Sequence, residues 1–120
     1  MPNIKLKRLY QPAARSDGYR ILVDRLWPRG LTKVKAGVDE WLREVAPSNA
    51  LRKWFSHEPE RWPEFKRRYL KELGANRKAT QKLVDAVKSH SKVTLLFGAR
   101  DEECNQAVVL GIYLKRRLGR

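Results

Sequence analysis

The stretch Tyr19–Gly30, YRILVDRLWPRG, constrains the fold more than any other part of the chain. Its apolar run Ile21-Leu22-Val23 leaves no polar position on either side of a strand, so both faces must be buried. A sheet covered on both faces meets that demand, which points to an α/β architecture with parallel strands. The run then gives way at once to Asp24, Arg25, Trp27, Pro28, Arg29 and Gly30. An acid, two guanidinium groups, an aromatic ring and two backbone punctuators following a buried strand suit a site at a sheet edge.

The remaining pattern is compatible with such a sheet. Ile4-Lys5-Leu6-Lys7 alternates, which predicts a half-buried strand suited to an edge. Tyr10–Gly18 reads as a loop, and residues 19–24 as the second strand. Val93-Thr94-Leu95-Leu96-Phe97 is the clearest central strand. Val38, Trp41, Leu42 and Val45 fall at helical spacing and predict a helix, with Asp39 and Glu40 in its first turn and Pro47 as its stop. Ser48 suits the N-cap of a short helix that turns Leu51, Trp54 and Phe55 inward and breaks at His57-Glu58-Pro59. Pro63 suits the start of a helix running to Leu73, with Gly74 at its C′ position. Asn76 suits the cap of a further helix with Ala79, Leu83, Val84 and Val87 on one face. A last helix is predicted from about Glu102 to Leu118. The order β-β-α-α-α-α-β-α predicts a small, mostly parallel three- to four-stranded sheet flanked by helices, in a single domain over residues 1–120. The link between the first two strands is short for a parallel crossover, which leaves that pair open to an antiparallel arrangement.

Charge sets the partners. Lys and Arg number 27 against 13 Asp and Glu, a net charge of +14. Such a field attracts anions: phosphorylated or carboxylated metabolites, nucleic acid, or acidic protein surfaces. The basic residues are spread along the chain, a distribution that equally serves solubility and non-specific polyanion binding. The single cysteine, Cys104, rules out an internal disulfide and a thiolate metal cluster. No run approaches the roughly 18 apolar residues of a membrane span. The first fifteen residues lack the apolar segment of a signal peptide. A cytoplasmic protein that does not engage membranes is the expectation.

Candidate site residues follow from the parallel sheet. If strands 19–24 and 93–97 are parallel neighbours, the loops after them meet at one crevice. Asp24, Arg25, Trp27 and Arg29 would face Arg100, Asp101 and Asn105 across it, with Ser48, Lys53, His57 and Cys104 as a second tier. Arginine binds phosphate or carboxylate with two parallel bonds, so the set predicts a small anionic ligand, helped by backbone amides near Asp101–Cys104. The competing reading pairs Asp24 and Asp101 with these arginines as internal clamps. Asp24 could serve as a general base, but neighbouring guanidinium groups would lower its pKa and favour the clamp. Asp101 most simply caps the last helix, with Cys104 an inert thiol in its first turn. Asn105 would orient a ligand or tie the loop. Trp27 and Trp54 fit the core better than a base-stacking platform, a use their basic neighbours keep open. His90 is expected on the surface. Two histidines this far apart make no metal centre, and no nucleotide, hydrolase or metalloprotease motif occurs, so neither metal nor cofactor is expected and no reaction is named.

The block Ser16–Gly30, SDGYRILVDRLWPRG, resembles the signature of the YeaO-like proteins of bacteria and archaea, domain of unknown function 488. The resemblance extends through Tyr10, Pro12, Asp39-x-Trp41, Pro47-Ser48, Leu51-Arg52-Lys53, Phe65, Tyr69, Glu72-Leu73, Thr94-Leu95-Leu96 and Asn105-x-Ala107-x-Val109-Leu110. It implies no established activity. It does imply that a positive charge, lysine in many members, is what position 100 supplies, and that Cys104 lies outside the family pattern.

Overall fold

Apolar runs and alternation become strands. Asn3–Arg8 forms β1, Tyr19–Leu22 β2, Glu40–Trp41 β3 and Lys92–Phe97 β4. In the computed structural model, which describes residues 3–119, the four make one sheet of order β1-β4-β2-β3 with every neighbouring pair parallel. Residues 1, 2 and 120 of the expected domain lie outside the described part. The decisive pairing is β2 with β4, where Ile21 stands opposite Leu95 and Leu22 opposite Leu96. A ladder bond from the Val23 amide to the Leu96 carbonyl carries the pairing one residue beyond β2. β1 is an edge strand, as expected, but it does not pair with β2, in either sense. β4 lies between them. The physical reason is burial: β4 is apolar on both faces and takes the centre, whereas the lysines of β1 suit an edge.

Alternate residues of the central strands feed two cores. Ile21, Val23, Val93, Leu95 and Phe97 join the larger one, covered by α2 (Asn49–Phe55), α3 (Trp62–Ala75), α4 (Arg77–Lys88) and α5 (Gln106–Leu118). Leu22 and Leu96 join the smaller one with Leu9 and Ala36, packed by Trp27, Leu31, Val38 and Trp41. Each fully buried Leu, Ile or Phe side chain contributes about 1.5–3 kcal/mol, so the larger core supplies most of the stability.

The helix expected over residues 38–45 is absent. Its four apolar residues do not share a face: Val38 and Trp41 pack on the smaller core, Leu42 and Val45 on the larger. Instead the chain crosses the sheet edge as β3 and turns once as a 3-10 helix at Arg43–Val45. The open edge of β2 outcompetes local helix propensity. Asp39 donates its amide to the Arg20 carbonyl and accepts the Arg20 amide on its carboxylate, both at 2.9 Å. Glu40 accepts the Tyr19 hydroxyl at 2.9 Å. Neither acid serves a helix N-terminus. The helix that does form in this region is the single turn α1, Lys33–Ala36, capped by Thr32 and closed by Gly37 at φ 61°.

Three helix ends also differ from expectation. Gly74 lies inside α3, which continues to Ala75. Asn76 does occupy the cap position before α4, its carbonyl accepting the Thr80 amide at 3.1 Å, but its side-chain amide donates to the Glu44 carbonyl and caps no helix amide. α5 begins at Gln106, not near Glu102. Ser48 does cap α2, accepting the Leu51 amide at 3.1 Å. His90 is half-buried, its ring stacked on Tyr19 at 3.8 Å, and so is not the surface histidine expected. Among the described residues no helix is long and apolar enough to cross a membrane.

Candidate functional site

Parallel pairing of β2 and β4 brings the loops after them together at the carboxyl edge of the sheet. The Gly98 amide donates to Asp24 Oδ2 at 2.8 Å, and the Ala99 carbonyl is held by Arg8 Nε at 2.9 Å. A Cβ on Gly98 would lie 2.9 Å from Asp24 Oδ2, so the close approach needs glycine. Gln106, the first residue of α5, donates its side-chain amide to Asp24 Oδ1. Above these groups lies a cavity of about 270 Å³. Asp24, Arg25, Gly98, Asn105 and Gln106 line it from the sheet edge. Arg52, Phe55, His57 and Phe65 line it from the helices.

Asp24 behaves opposite to expectation. Among the described residues it forms no ion pair with any Lys or Arg. Burial pushes its pKa up from 3.8 to about 6, and the bonds from Gly98 and Gln106 only partly offset that. The acid is therefore not an arginine clamp. Its value lies close enough to neutrality for proton exchange with a bound molecule.

Arg25 is held by backbone instead of by an acid. Its Nε donates to the Pro47 carbonyl and one terminal nitrogen to the Ala46 carbonyl, each at 3.2 Å. Two of its five N–H groups are used, and three remain for a ligand. Arg52, on α2, stands exposed at the rim. Beside it Ser56 and His57 both adopt left-handed backbone, φ 47° and 58°. Ser56 ends α2 there. Two successive non-glycine residues in that region cost on the order of 1–2 kcal/mol each, and they place His57 at the cavity mouth.

Of the expected residues, the fold thus gathers Asp24, Arg25, Asn105, His57 and Cys104 around one cavity and leaves the others outside it. Trp27 packs on the smaller core, its indole donating to the Leu31 carbonyl at 2.6 Å. Arg29 is exposed, and only its carbonyl is engaged, by the Tyr10 hydroxyl. Arg100 and Lys53 are exposed and line no part of the cavity. The Ser48 hydroxyl donates to Glu72 at 2.6 Å and serves the α2–α3 contact. Asp101 is not the cap of α5. Its Oδ1 accepts the amides of Glu103 and Cys104, both at 2.9 Å, which lower its pKa and use up the amides expected to hold an anion. The true cap is Asn105, whose Oδ1 accepts the Val108 amide at 3.2 Å while its Nδ2 ties the Asp101 carbonyl. Cys104 precedes that cap, outside the helix. Burial, then Asp101 and Glu103, push its thiol pKa up, as an inert thiol requires.

Sequence reasoning missed Arg52 and Gln106. Arg52 was legible as the neighbour of Lys53, had the α2 phase been counted toward the crevice. Gln106 became visible only once α5 was seen to start there. Trp54 is neither pure core nor a free platform, because Arg68 and Arg61 cover it at 4.2 and 5.4 Å from its ring centroid.

These features define a small parallel α/β protein whose two central strands end in a crevice holding a carboxyl and a guanidinium that make no ion pair among the described residues. Residues 3–120 match the family model described as the inactive DUF488-N3 subclade. The chain belongs to the YeaO-like DUF488 family. It is 45% identical over 113 residues to the uncharacterized protein YeaO of Escherichia coli, covering 94% of this chain and 97% of that one. It is 46% identical over 70 residues to the uncharacterized proteins Mb3100c of Mycobacterium bovis and Rv3073c of Mycobacterium tuberculosis, covering 58% of this chain and 59% of each of those. No solved structure gives a significant match.

Proposed function

We propose that the crevice binds a small molecule bearing a phosphate or carboxylate group, with Arg25 as the principal anion contact and Arg52 and His57 at the rim. The observation that carries this reading is the state of Arg25. Two backbone carbonyls fix its guanidinium in a cavity wall, no acid neutralises it among the described residues, and three donors are left unspent. A guanidinium already fixed in place loses little entropy on binding an anion, so affinity follows cheaply. The family model's description as inactive agrees with a role in binding rather than turnover.

Sulfate is the simplest probe, because its charge is constant between pH 5 and 8. Calorimetry at low ionic strength should show saturable sulfate binding that Arg25→Ala weakens at least tenfold and Arg52→Ala about threefold. Arg29→Ala and Arg100→Ala should leave it unchanged. Undiminished binding in Arg25→Ala would remove the proposal.

A further inference from the structure

We infer that the ligand has two unlike ends, an anionic group held at Arg25 and a pair of adjacent N–H donors held at the Asp24 carboxylate. The inference rests on the anion-binding reading and deepens it. Each Asp24 oxygen accepts one bond, from Gly98 or from Gln106. A carboxylate oxygen has two lone-pair sites, so one on each oxygen is left, side by side. Gln106 spends its amide N–H on Asp24 and keeps its carbonyl oxygen as a third acceptor at the same place. Free acceptors of Asp24 and Gln106 thus line the same cavity as the unspent donors of Arg25. A bare anion satisfies the arginine and leaves the carboxylate desolvated. A molecule that donates at its other end satisfies both.

The buried rings of Phe55 and Phe65 and the exposed Leu26 add an apolar wall to the cavity. That wall and a volume of about 270 Å³ favour a flat ring as the body of the ligand. A phosphorylated heterocycle with ring N–H groups has this form, and an α-amino acid offers the same two ends on a smaller body.

Two matched pairs of probes isolate the donors. Guanosine 5′-monophosphate carries an N–H and an amino group on one ring edge, whereas purine riboside 5′-monophosphate has the same phosphate and ring system without them. Alanine carries an ammonium beside its carboxylate, and propionate lacks it. Dissociation constants are measured at pH 7.5 for all four and for sulfate, on the wild type and on Asp24→Asn. The donor-bearing member of one pair should bind at least tenfold more tightly than its partner. That preference should shrink below threefold in Asp24→Asn, with sulfate still bound. The pair that shows it identifies the body. Sulfate binding without preference in either pair, or a preference that survives Asp24→Asn, overturns the inference and leaves the anion site standing. Absence of sulfate binding removes both.

Discussion

Asp24 is the residue on which the site turns, and its burial makes a thermodynamic prediction. A carboxyl whose pKa is raised in the folded state is ionised more readily when unfolded. It therefore costs nothing below its unfolded value and lowers stability as pH rises from about 4 through the folded value of about 6. Two pKa units correspond to roughly 3 kcal/mol, the ceiling on that cost at neutral pH. Asparagine is isosteric and uncharged. Its carbonyl can accept the Gly98 amide, and its amide can donate to Gln106 once that side chain turns its own amide over. Asp24→Asn should therefore match the wild type at pH 4 and exceed it by about 1–3 kcal/mol at pH 8, read from urea unfolding at both values. A variant less stable at pH 8 than at pH 4, relative to wild type, would show that the charge is not the cost. A residue that destabilises the free protein in its ionised form is one that a donor-bearing ligand would relieve.

At the scale of elements, a second buried carboxylate acts with the opposite sign. Asp17 lies in the turn before β2, fully out of solvent, and gathers the Ala14 amide at 3.0 Å, Lys7 at 3.0 Å, Lys5 at 3.1 Å and Arg20. Burial raises its pKa, but the Ala14 amide and then Lys7, Lys5 and Arg20 outweigh that and hold it well below the usual carboxylate range. Its stabilisation is present above the unfolded value and is lost as pH falls through the folded one. The cluster joins β1, β2 and the turn between them, two strands that share no ladder bond. Asp17→Asn leaves the buried Arg20 without its anion and should cost about 3–5 kcal/mol in denaturant unfolding at pH 7. Lys5→Ala, with a side chain 43% exposed, should cost under about 1 kcal/mol. Nothing in the sequence singled out Asp17 beyond its place in the loop Tyr10–Gly18, because its partners come from three separate segments. What was legible were features fixed by neighbours in the chain: the central strands, the Ser48 cap, and the apolar face of α4. The helix expected at 38–45 failed because periodicity cannot tell one helix face from two faces of a sheet. The site was legible in outline, since parallel strands placed Asp24 beside Gly98, while Trp27, Arg29 and Arg100 were decided by loop geometry that no local pattern encodes.

At the scale of the whole molecule, the net charge of +14 is scarcely compensated by contact. Among the described residues only the acids Asp17, Glu44 and Glu64 make ion pairs. Asp24, Asp39, Glu72 and Asp101 spend their oxygens on amides and hydroxyls. The basic side chains are distributed over β1 and all five helices. Two effects of added salt must then be separated. Screening of self-repulsion raises the melting temperature whatever the anion, and it weakens any association with duplex DNA by about 0.9 log units per phosphate contacted for each decade of salt. Occupation of the crevice adds a second, anion-specific stabilisation that grows as RT ln(1 + [L]/Kd). With a sulfate Kd near 1 mM, 10 mM sulfate would contribute about 1.4 kcal/mol, or roughly 3–6 °C for a domain of this size. Sodium sulfate should therefore raise Tm by that margin over sodium chloride of equal ionic strength. Arg25→Ala should abolish the margin while keeping the chloride response. Equal melting curves in the two salts for the wild type would mean that the charge of this molecule acts only as a field, with no crevice to focus it.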